Sequence, residues 1–222
     1  METSNGAQQR RWLLFWLSVF AVAMAYLEAT VVVYLRQVYY PNDLLTIFPA
    51  RILSEIHLAV ELAREAATVA MLVAVAALAV RGAMRRFAAF VYIFGLWDIF
   101  YYVWLKVTLG WPVSWSEWDI LFLIPWAWLG PWLTPVAIAL LFVVWGAWVL
   151  LADHEKRFGF RQLGLFLFGA VLCLFAFLEP ALSLLARGPE AFVDFVPQRF
   201  LWAVYIPGWV LMGAGLFGCR HD

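Results

Sequence analysis

The chain has 222 residues, with 15 Lys and Arg against 15 Asp and Glu, so its formal net charge is zero. Hydrophobic residues make up 66% and charged residues 14%, where soluble domains run at about 45–50% and about 25%. Too little polar surface remains to cover a water-soluble fold, and with no basic excess or basic arm nucleic acid is excluded as a partner.

The composition predicts an all-α integral membrane protein. A bilayer span takes about 20 mostly apolar residues to cross about 30 Å of hydrocarbon. Six stretches meet that length: 12–35, 57–80, 87–109, 132–152, 162–186 and 200–218. The breaks between them are short, charged or proline-bearing, so residues 1–222 read as a single transmembrane domain of six helices. Arg10-Arg11 ahead of an apolar run resembles a twin-arginine leader, but hydrophobicity continues to Leu35, which predicts a retained first span.

Basic residues set the expected orientation. Arg10, Arg11, Arg81, Arg85, Arg86, Lys156, Arg157, Arg161 and Arg220 fall on one side, against Arg36, Arg51, Arg187, Arg199 and Lys106 on the other. The richer side belongs in the cytoplasm, which places both termini there and predicts a multi-pass inner-membrane protein bathed in membrane lipids.

Span two carries the densest polar pattern, Ser54 to Leu72, reading SEIHLAVELAREAATVAML. His57, Glu61 and Glu65 recur every four residues and therefore share one helix face, with Arg64 in reach of Glu61. Span one contributes Glu28, span three Asp98 and span five Glu179. A charge at a helix centre costs roughly 2.5–3.5 kcal/mol on insertion scales, so such residues need a partner or a use. Counting about 1.5 Å of rise per residue brings these acids to nearly one level, toward the outer side. Arg64 can satisfy two carboxylates through its planar fork, which leaves most of the acid charge uncompensated.

Tyr101 and Tyr102 stand three and four residues after Asp98, on its helix face. Rings beside carboxylates form a box that attracts a cation through the ring faces and balances it with the acid. Between spans three and four, residues 110–135 hold Trp111, Trp115, Trp118, Trp126, Trp128 and Trp132, interrupted by Pro112, Pro125, Pro131 and Pro135. That composition predicts an irregular elbow or re-entrant lid on the outer side. Trp97-Asp98-Ile99 recurs there as Trp118-Asp119-Ile120, an echo too short to read as a repeat. The acids of the first three spans have no counterparts in the last three, which gives no support to an inverted-repeat transporter.

The expected function is an outward-facing acidic and aromatic pocket for a cation or a small cationic or amphipathic molecule. Its ligand-binding residues would be Glu28, Glu61, Arg64, Glu65, Asp98, Tyr101, Tyr102 and Glu179. In size and span count the chain resembles the substrate-binding components of vitamin uptake systems, without a motif behind the likeness. Two other readings use the same residues. One is a metal-assisted enzyme on a lipid or polyprenyl substrate, with a divalent metal on Glu28, Glu61, Glu65, Asp98, Glu179 and His57. The other is a non-catalytic subunit whose acids pair with a partner membrane protein. Haem is excluded for want of two axial histidines, since His154 and His221 read as solvated, and nucleotide for want of a Gly-rich phosphate loop. Cys173 and Cys219 lie too far apart to pair.

Overall fold

A computed structural model describes residues 2–48, 53–153, 156–185, 195–218 and 220–221. In chain order the elements are α1 (Glu2–Tyr39), α2 (Glu55–Ala79), α3 (Ala83–Leu109), β1 (Trp118–Phe122), β2 (Trp128–Pro131), α4 (Leu133–Leu151), β3 (Lys156–Arg157), α5 (Phe160–Leu185), α6 (Trp202–Phe217) and β4 (Arg220–His221). Helices carry the architecture, and α1 to α5 are long and apolar enough to cross a membrane. The sixth expected span is shorter: α6 has 16 residues and rises about 24 Å. Arg51, His154, Arg187 and Cys219 lie outside the described residues.

Local chemistry sets the helix ends. Ser54 caps α2 by accepting from the His57 backbone N–H at 3.3 Å. Gly110 ends α3 in the left-handed region, φ 76°, which a side chain would strain. The Lys106 ammonium donates to the carbonyls of Gly110 and Pro112 at 2.9 and 2.7 Å, satisfying acceptors the helix end leaves free.

The helix α3 is central, packed on α1, α4 and more lightly α2, while α5 pairs with α6. Small residues let the backbones approach, as expected where lipid supplies no hydrophobic drive between helices. A Cβ at Gly95 would stand 2.6 Å from the Ala139 carbonyl oxygen, and one at Gly169 would stand 2.5 Å from that of Gly208. Gly95→Ala is therefore expected to separate α3 from α4 and cost about 1–3 kcal/mol, read as a lower unfolding midpoint in detergent.

At the end where α1 begins, Arg10 pairs with Asp153 beyond α4, and β3 pairs antiparallel with β4. At the other end, within the expected irregular segment 110–135, residues 118–131 form an antiparallel hairpin, while residues 110–117 ahead of it are neither helix nor strand. Trp118 faces Pro131, Asp119 faces Gly130 and Ile120 faces Leu129, with an irregularity before Phe122 faces Trp128. The physical reason lies in WDILF, whose aromatic and β-branched residues favour extended backbone, while Pro125 falls in the connection and Pro131 at a strand end. The Trp111–Pro112 and Ile124–Pro125 peptides are cis. Glu117 braces the approach by accepting from the N–H groups of Val113 and Ser114.

Candidate functional site

The buried stripe of α2 runs Glu61, Glu65, Thr68, Leu72 and Ala76. Its lower part joins the apolar core with α1 and α3, whereas its upper part turns carboxylates toward them. Between the upper halves of α1, α2 and α3 and beneath β1 lies a cavity of about 170 Å³. That is far more than the ~10–15 Å³ a single water needs. Of the eight expected ligand residues, Glu28, Glu61, Arg64, Glu65, Asp98, Tyr101 and Tyr102 all line it.

The carboxylates have different neighbours. Arg64 donates through Nε and Nη2 to Glu61 Oε2 at 2.9 and 2.8 Å, and its Nη1 contacts Glu28. Thr68 donates to Glu28 at 3.5 Å. This network joins α1 to α2, two helices whose backbones otherwise make few close approaches. Glu65 accepts through both oxygens from the Leu123 backbone N–H, at 3.0 and 2.9 Å. An N–H just past the end of β1 has no strand partner on that side, so the carboxylate removes an unsatisfied donor and ties the hairpin to α2. Glu65→Ala is expected to speed amide hydrogen exchange across residues 120–124 by about tenfold, since a charged hydrogen bond of this kind is worth about 1.5 kcal/mol or more.

Asp98 differs from the others, because its Oδ2 is buried and has no hydrogen-bond partner among the described residues. Trp97, beside it on the same wall, is 7% exposed, and its indole N–H is likewise without an acceptor.

Two charged residues of the cavity were absent from the expected set. Asp119 on β1 is buried, accepting from the Tyr102 hydroxyl at 3.0 Å and from the Ile120 N–H. Burial pushes its carboxyl up to about 6, against the lowering pull of nearby Arg36 and of the Tyr102 hydrogen bond. Arg36, in the last turn of α1, is 4% exposed. Its Nη1 donates to the Leu44 carbonyl at 3.1 Å, and its guanidinium lies 4.2 Å from the centre of the Trp111 ring. Its Nη2 has no partner among the described residues. Asp119 had a signal in the echo of Trp97-Asp98-Ile99 by Trp118-Asp119-Ile120: the two aspartates meet in one cavity. Arg36 had only its place at the end of an apolar run.

Two expected residues stand elsewhere. Glu179 does not line the cavity, because α5 packs against α6 and β2 and not against the walls made by α1, α2 and α3. Asp119 supplies the acid on that side. His57 is exposed at the start of α2 and its Nδ1 shares a hydrogen bond with the Tyr39 hydroxyl. Among the described residues no three His, Cys, Asp or Glu side chains gather as metal ligands, so the expected metal set of Glu28, Glu61, Glu65, Asp98, Glu179 and His57 is not brought together.

Among the described residues the cavity is thus lined by five carboxylates, Glu28, Glu61, Glu65, Asp98 and Asp119, against the two guanidiniums of Arg36 and Arg64. Tyr39, Tyr40, Trp97, Tyr101, Tyr102 and Phe122 supply its aromatic surface. No family model, curated protein or solved structure matches the chain.

Proposed function

We propose that the chain is a six-span protein of the inner membrane, with both termini cytoplasmic, that captures a small organic cation in this cavity from the outer side. The ligand would be taken up as by a substrate-binding component of a transporter. The observation that carries the reading is the charge imbalance of one partly enclosed, aromatic-lined hollow: among the described residues five acids face two arginines, and Asp98 keeps an oxygen without a donor. A charge-balanced packing network would spend its acids on its own bases, as Glu28 and Glu61 do on Arg64.

The orientation draws on the same geometry. Arg10, Arg81, Arg85, Arg86, Lys156, Arg157, Arg161 and Arg220 lie near the ends of α1 to α6 remote from the cavity, which suits a cytoplasmic face there. An organic cation fits better than a divalent metal. Among the described residues the carboxylates do not converge as a ligand set, and the aromatic lining of the cavity favours a dispersed positive charge over a hard ion.

Thermal unfolding of the purified protein tests this. Choline and tetramethylammonium are expected to raise the midpoint saturably, with Mg²⁺ and Ca²⁺ matching only an equal ionic strength of NaCl. Asp98→Asn is expected to lose the organic-cation response. A response to the divalent ions alone, or to none of these probes, contradicts the reading.

A further inference from the structure

Most polar atoms around the cavity are used internally: Arg64 on Glu28 and Glu61, Glu65 on Leu123, and Asp119 on Tyr102 and Ile120. Three buried atoms on the lining residues have no hydrogen-bond partner among the described residues and no ion pair: Asp98 Oδ2, Arg36 Nη2 and Trp97 Nε1. They are not of one kind. Asp98 offers an acceptor with negative charge, whereas Arg36 and Trp97 offer donors, one of them cationic.

Leaving a buried guanidinium N–H unpaired is costly, and a simple organic cation satisfies it poorly, because it repels Arg36 and brings at most a neutral acceptor such as a hydroxyl. A ligand bearing both signs supplies what each kind of atom lacks, a positive charge for Asp98 and an anionic acceptor for the donors. From this we infer that the cavity takes a zwitterion, its cationic nitrogen against Asp98 and the rings of Tyr101 and Tyr102, and its carboxylate or phosphate against Arg36 and the Trp97 indole. The inference rests on the cation-capture reading and adds a second recognition element to it. It also accounts for the arginine in an otherwise acidic hollow. Trp111 under the guanidinium and the Leu44 carbonyl hold Arg36 in place and leave Nη2 over. Such chemistry reaches a membrane protein from two sources, a soluble zwitterion or the headgroup of a zwitterionic lipid.

The test is equilibrium binding of choline and of glycine betaine, which carries a carboxylate beside the same quaternary nitrogen, to the full chain in detergent. A parallel arm compares thermal unfolding in nanodiscs of phosphatidylglycerol with and without phosphatidylcholine. Wild type is expected to prefer glycine betaine to choline by about tenfold or more, the range of a charge-assisted hydrogen bond. Arg36→Gln should abolish the preference while leaving choline binding equal or tighter, since a like charge has gone. Trp97→Phe keeps the ring and should lose part of the preference, which gives a second reading if Arg36→Gln does not fold. Stabilisation by phosphatidylcholine that Arg36→Gln or Trp97→Phe diminishes, with no response to glycine betaine, also supports a zwitterion and assigns it to the bilayer. Choline binding as well as glycine betaine in wild type, with no phosphatidylcholine effect, overturns the inference and leaves cation capture standing. Failure of all three probes overturns both.

Discussion

Arg64→Gln is expected to lower the stability of the protein by about 3 kcal/mol, near the bottom of the range for breaking a buried ion pair from one side. Among the described residues Arg64 is the one cation that pairs with both Glu28 and Glu61, whose side chains are 12% and 7% exposed, while Arg64 itself is 20% exposed. That residual exposure places the effect low in the range. Removing the guanidinium leaves two carboxylates facing each other across the α1–α2 seam, where the two backbones make few close approaches. The same account predicts that Glu28→Gln added to Arg64→Gln restores part of the loss, because the second change removes one of the stranded charges. Chemical or thermal unfolding of the two single variants and the double variant measures this coupling. An Arg64→Gln variant within about 0.5 kcal/mol of wild type, as for a surface substitution, would show that the network carries no structural weight.

The second large effect is a pH dependence at Asp119. Its carboxyl keeps a proton up to about 6 in the folded protein, whereas the unfolded chain releases it near 3.8. Between those values the native state binds more protons than the unfolded state, so stability falls as pH rises through this window and stays lower above it. The shift corresponds to on the order of 3 kcal/mol at full development. Arg36 on α1 and Tyr102 and Asp98 on α3 face Asp119, and the first two already oppose the shift. Asp119→Asn keeps an acceptor for the Tyr102 hydroxyl but cannot titrate. The stability difference between pH 4 and pH 7.5 should therefore shrink in the variant by roughly 2–3 kcal/mol relative to wild type. An unchanged difference would mean that Asp119 is ionised throughout.

What the chain alone disclosed, and what it withheld, follows from the kind of signal each feature leaves. Hydrophobicity marks where a chain can enter lipid, and the centres of α1 to α5 fall within the expected spans. It does not mark where a helix stops, which is why α1 begins at Glu2, ten residues before its apolar run. The hairpin left little trace, because five residues of extended propensity between prolines resemble any aromatic loop until a partner strand pairs with them. Glu61 and Glu65 were legible as one face because they share a helix, and their spacing fixes their relative direction. Glu179 was misplaced for the converse reason: rise per residue gives depth but not the direction in which a different helix points its side chain. Arg36 and Asp119 reach the cavity from the last turn of α1 and from β1, places that depth arithmetic on spans does not sample.

The central claim is that the acid excess around this hollow exists to hold a cation, and equilibrium dialysis of radiolabelled choline against wild type and Asp98→Asn tests it most directly. The account predicts one saturable site per chain in wild type, weakened at least tenfold when Asp98 loses its charge, in line with the worth of a charge-assisted contact. Equal binding by the two proteins, or uptake that rises linearly without saturation, would contradict it.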